Sequence, residues 1–140
     1  MDKTILERFE GSLHRCNTDP GFLDRFYDRF LRSSPKVREK FVGTDFARQK
    51  HALRASLDLL LLAARDDGKR PTATLDKVAA RHGAGQMAIG AELYDLWLDS
   101  LLATVHEVDP GWSPEVEAAW ESVMTVGIVY LVTRYHRAAP

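Results

Sequence analysis

Apolar residues recur along the chain with the period of an α-helix almost throughout. Ile5, Leu6, Phe9 and Leu13 keep that spacing within residues 2–15. Asp19-Pro20 suits an N-cap and a first helical position. The helix it opens carries Phe22, Leu23, Phe26, Tyr27, Phe30 and Leu31 as one broad apolar face. Ser34-Pro35 ends that helix and starts a short helical turn that reaches Phe41. "VGTD" is a loop, with Thr44 or Asp45 as a cap. From Phe46 the period resumes through Gln49, Leu53, Leu57, Leu60 and Ala64, and it stops at the polar "RDDGKRPTAT". Thr74 can cap a short helix holding Leu75, Val78 and Ala79, which Gly83 and Gly85 break. A longer helix runs from about Gly90 to Val108 and ends at "DPGW". Ser113-Pro114-Glu115 supplies a cap, a proline at the first position and an acid near the positive end of the next helix dipole. Its "VMTVGIVYLVTRY" is β-branched, yet Trp120, Val123, Met124, Gly127, Ile128, Leu131 and Tyr135 keep helical spacing. No strand alternates cleanly. The pattern predicts one all-α domain over residues 1–140, with about five long helices and two or three short ones.

Composition narrows the class without changing that picture. A chain of 140 residues, 45% hydrophobic and 28% charged, is long enough to bury a core and ordinary for a soluble globular protein. Its formal charge of −1 argues against a nucleic-acid partner and leaves no basic block for a membrane surface. "LLLLAA" is far too short to span a bilayer, and "MDKTILERFEG" lacks the apolar core of a signal peptide. The expected location is the cytoplasm. Cys16 is the only cysteine, so neither an intramolecular disulfide nor a Cys-rich metal site can form.

Few residues invite chemistry. His82 is one of five histidines and sits at a helix end, where a histidine is usually solvent-exposed or a C-cap. Tyr27 lies among phenylalanines, which ordinarily means a core tyrosine with its hydroxyl at the rim. Gln49 is less expected on the stripe of Leu53 and Leu57: a buried amide needs partners, and the alternative is the stripe's edge, in water. Phe41 reads as core packing. His51 is about 200° round the helix from Gln49, so it faces solvent if Gln49 faces inward. His14, His106 and His136 have no partner at ligand spacing. There is no His-x-x-x-His pair, paired-carboxylate motif, Gly-rich phosphate loop or Gly-x-Ser-x-Gly.

The ordered set of Tyr, Pro, Phe, Gln and His on an all-α chain of this length resembles the globin family, most closely bacterial single-domain globins and the haem domain of flavohaemoglobins. "FYDRFLRSSPKVREKF" (Phe26 to Phe41) resembles their second and third helices, with Tyr27 as the distal tyrosine, Pro35 opening the short helix and Phe41 packing flat on the haem. "QKHAL" (Gln49 to Leu53) resembles the distal start of the long E helix, with Gln49 where histidine often stands. "VAARHG" (Val78 to Gly83) resembles the proximal helix, with His82 as the iron ligand, and "LLATVHEV" (Leu101 to Val108) the end of the next helix. No single motif is specific; the ordered set is.

The resemblance implies the globin fold, a three-over-three helical sandwich around a haem pocket. It implies haem b, protoporphyrin IX with iron, held by neutral His82 at the proximal position. Leu53 would wall the distal side, and Val78 and Trp97 would line the proximal side. Tyr94 is the match for a tyrosine that serves near the proximal histidine in flavohaemoglobins, but Tyr135 stands where they carry a glutamate, so their full proximal relay is not implied. The first function implied is reversible binding of dioxygen, or another diatomic gas, under Tyr27 and Gln49. The second is nitric-oxide dioxygenation or a pseudo-peroxidase activity. These 140 residues leave no room for a fused reductase, so turnover would call on a separate one. A gas-sensing or haem-free regulatory module is the third. The apolar faces of the last two long helices would serve a dimer or a core equally well.

Overall fold

The computed structural model describes residues 2–65 and 91–138, with side chains over 2–62 and 93–126. Those residues form six helices and no strand: α1 Lys3–Asn17, α2 Phe22–Ser33, α3 Pro35–Lys40, α4 Phe46–Arg65, α5 Ala91–Val108 and α6 Pro114–Ala138. The short helix expected around Leu75 to Ala79, and the glycines expected to end it, lie outside the described residues.

Most boundaries follow from side-chain caps. The Asp2 carboxylate accepts the Thr4 N–H at 2.7 Å. The Ser113 hydroxyl accepts the Val116 N–H at 3.1 Å, with Pro114 beginning α6. Asp45, rather than Thr44, caps α4 by accepting the Arg48 N–H at 3.3 Å. Gly43 makes the preceding turn possible, since its φ of 77° lies where a side chain is strained. At α2 the chain turns where Asp19 predicts, and the Asp19 carboxylate accepts the Gly21 N–H at 2.7 Å. The opening turn is tight, however, with the Phe22 N–H on the Asp19 carbonyl at 3.2 Å, so the regular helix starts at Phe22 rather than Pro20. Ser34 stands in extended conformation between α2 and α3, and its hydroxyl accepts the Lys36 N–H at 3.2 Å. Ser34→Ala removes that cap and should cost about 1 kcal/mol in a denaturant titration.

Helix α2 packs on α5 and α3, α1 packs on α6, and α5 and α6 join the two pairs. At their centre Trp120 is fully buried, with its ring edge-on to Phe9 at 4.8 Å and to Phe22 at 6.4 Å. Burying an indole leaves its N–H in need of an acceptor. The Ser12 hydroxyl provides one at 2.8 Å and donates in turn to Asp109 Oδ2 at 2.6 Å. Asp109 follows α5, and its side chain is completely buried. Arg15 closes the network with Nε on Oδ1 at 2.5 Å and Nη2 on Oδ2 at 3.0 Å. The Gly111 N–H adds a bond to Oδ1 at 2.8 Å. A Cβ at Gly111 would stand 2.7 Å from Arg15 Nε, so a side chain there would push the Arg15 guanidinium off Asp109. The "DPGW" stretch read as a helix stop is thus also the acceptor end of a buried polar network tying α1, α5 and α6 together.

Candidate functional site

Tyr27 and Gln49, the two residues expected on the distal side, lie on α2 and α4. On α2, the i, i+4 spacing puts Phe22, Phe26 and Phe30 in the core, and Tyr27 lies beside Phe26 with the rings 4.9 Å apart. The Tyr27 ring is 5% exposed, too buried for a rim tyrosine. Its ring meets Phe46 of α4 at 5.6 Å and Phe41 at 6.2 Å. Phe41 and Phe46 are themselves stacked, with centroids 6.0 Å apart.

The Tyr27 hydroxyl points at the first turn of α4, where it stands 3.5 Å from the Gln49 main-chain carbonyl oxygen. That contact is long for an O–H donor and weak. Burial pushes the phenol well above its ordinary value, and the Gln49 side chain, which also bonds to it, lowers it by less. Tyr27 therefore remains an O–H donor at any physiological pH. Gln49 is half-buried, intermediate between the interior and edge positions left open by its sequence. Leu53, one turn further along the same flank of α4, is buried. His51 is exposed, as its angle from Gln49 requires. The geometry thus brings Tyr27, Phe41 and Gln49 together, with Leu53 buried one turn further along α4.

The other expected residues divide. Trp97 of α5 is half-buried with its ring edge on Phe26 at 5.9 Å, which joins it to the α2 aromatic group. Tyr94 is half-buried one turn earlier. His82 and Val78 lie outside the described residues, as do the side chains of Tyr135 and His136. His14 is exposed, and His106 lies flat on Trp112 at 3.7 Å and 12°. Among the described residues no group of His, Cys, Asp and Glu is placed to hold a metal ion. Cys16 is buried, and burial with the nearby Asp109 pushes its thiol up to about 12, which leaves it inert. No helix among the described residues is long and apolar enough to cross a membrane.

Phe46 is absent from the residues singled out by sequence, although its ring stacks on Phe41 and touches Tyr27. Its only signal was its place as the first apolar residue of α4, which reads equally well as the start of a core face.

The Globin family model matches residues 24–130 of this all-α chain, and the chain belongs to that family. Among solved structures it is similar to the protein PA3967 from Pseudomonas aeruginosa PAO1, described as structurally highly homologous to a human hemoglobin. The two share 41% identity and superpose with a TM-score of 0.83, over 94% of this chain and 98% of that one. No curated protein matches the sequence significantly. Globin membership implies a haem cofactor, and the chemistry of the group around Tyr27 fits one: the apolar rings of Phe41 and Phe46 beside a hydroxyl donor that stays protonated.

Proposed function

We propose that the chain reversibly binds dioxygen at a haem b whose iron is held by His82, under a distal pair formed by Tyr27 and Gln49. The observation that carries this reading is the buried Tyr27 hydroxyl, held protonated against Gln49 at the start of α4. Haem, when bound, would be held by His82 and would supply an iron able to take up a diatomic gas. The chain's own residues do the rest. Tyr27 donates a hydrogen bond into the distal space, and the Gln49 amide offers a second. Phe41, Phe46 and Leu53 keep water out, which strengthens both bonds. On the proximal side Val78, Trp97 and Tyr94 are assigned to the pocket around His82, whose second ring nitrogen needs an acceptor to orient the ring.

The test is an absorption spectrum of the purified protein with haemin, recorded ferric, reduced, and reduced under carbon monoxide. Wild type should give a sharp haem band that shifts with carbon monoxide, and His82→Ala should lose or alter it. No haem uptake, or a spectrum indifferent to His82, would overturn the assignment in favour of a haem-free regulatory globin.

A further inference from the structure

A small cationic cleft flanks the same two helices. It has a volume of about 240 Å³ and is lined by Pro20, Leu23 and Asp24 near the start of α2 and by Lys50, His51 and Arg54 of α4. Lys50 and Arg54 are four residues apart and so share a flank of the helix, with His51 beside Lys50. Against these three nitrogen-bearing side chains stands one carboxylate, Asp24, which is ion-paired to Lys50. His51 and Arg54 are exposed and make no hydrogen bond or ion pair among the described residues. Lysine and arginine outnumber the carboxylate two to one in the cleft, on a chain whose net charge is only −1. The volume falls below the roughly 300 Å³ at which pockets begin to take drug-sized ligands, so it suits an ion rather than a nucleotide.

We propose that this cleft binds a small oxyanion of the phosphate type, held by Arg54 and Lys50, with His51 as a further donor. The planar guanidinium of Arg54 offers the paired N–H groups that a tetrahedral oxyanion accepts. The Lys50–Asp24 pair is half-exposed, and such pairs are weak, so a multiply charged anion draws Lys50 away from Asp24. Lys50 directly follows Gln49, and Asp24 lies one turn before Tyr27. Exchanging that ion pair for a bound anion therefore acts on the two segments carrying the distal pair. This last link rests on the gas-binding reading, whereas the anion site itself does not.

Inorganic phosphate titrated into the full chain at constant ionic strength tests it, with amide chemical shifts as the readout. Constant ionic strength separates binding from screening. Saturable shifts confined to residues 20–24 and 50–54 are expected. Arg54→Gln and Lys50→Gln should each weaken binding about tenfold, as loss of a charge-assisted bond does. Asp24→Asn should tighten it, and Lys3→Gln, an equal change of charge on exposed α1, should leave it unaltered. Shifts that do not saturate, that chloride reproduces at the same ionic strength, or that survive Arg54→Gln would overturn the site. In the haem-loaded protein, saturating phosphate should change the dioxygen off-rate of wild type and not of Arg54→Gln. A saturable titration with an unchanged off-rate supports the anion site and overturns its link to Tyr27.

Discussion

Asp109→Ala should lower the free energy of unfolding by about 3 kcal/mol, the lower end of the cost of truncating one partner of a buried ion pair. The lower end applies because the Arg15 side chain keeps 36% of its surface in water while that of Asp109 keeps none. The substitution strips four donor contacts at once: two from Arg15, one from Ser12 and one from the Gly111 N–H. Ser12 still accepts from Trp120, but its own proton and the Gly111 N–H lose their acceptor in a water-poor site. Against a typical domain stability of about 5–15 kcal/mol the loss is large, and it should lower the melting temperature by roughly 10 °C. Acid should produce the same failure in wild type. Burial alone would push the Asp109 carboxyl up; the bonds from Arg15, Ser12 and Gly111 together outweigh it and hold the group below its ordinary 3.8. A folded value below the unfolded one gives stability that is complete above the unfolded value and is lost as pH falls through the folded one. Wild type should therefore destabilise steeply below about pH 4, and Asp109→Ala less steeply. Chemical denaturation of both proteins between neutral pH and pH 3 checks this; parallel acid limbs would show that the carboxylate is not the group responsible.

Tyr27→Phe should raise the dioxygen off-rate about tenfold, the rate equivalent of one hydrogen bond in a water-poor pocket. Stability should barely change. The ring contacts with Phe26, Phe41 and Phe46 survive, and the hydroxyl gives up only the long 3.5 Å contact to the Gln49 carbonyl and its bond to the Gln49 side chain. Measuring off-rate and unfolding together separates the two roles. A faster off-rate at unchanged stability places the hydroxyl on the ligand. An unchanged off-rate removes Tyr27 from the distal pocket.

Gln49 shows why a site is harder to read than a helix. Its amide on an apolar stripe was visible in sequence, but burial and solvent exposure were equally consistent with it. Its half-buried position depends on where α2 delivers the Tyr27 hydroxyl, across 22 residues of chain. Phe46 was read only as the start of a helix, because a first apolar residue looks the same whether it packs on a neighbouring core residue or joins an aromatic group. Ser12, Arg15 and Asp109 gave no sequence signal. They are 94 and 97 residues apart across the network, and a serine, an arginine and an aspartate at such separations are ordinary surface residues until the fold brings them together.

Local physics explains what the sequence by itself determined. Helical period, capping serines and aspartates, and prolines at first positions act over a few residues, so they define α1 to α6 to within a residue or two, apart from the tight turn that delays α2. The family was equally legible, because Tyr27, Pro35, Phe41, Gln49 and His82 keep their order along the chain whatever their contacts. Tertiary structure alone decided the rest: that Tyr27 is dry and protonated, that Asp109 is a buried anion, and that Lys50, His51 and Arg54 share a cleft with one carboxylate. Burial and charge pairing depend on which distant segments meet, and the sequence pattern of a single helix carries no record of its neighbours.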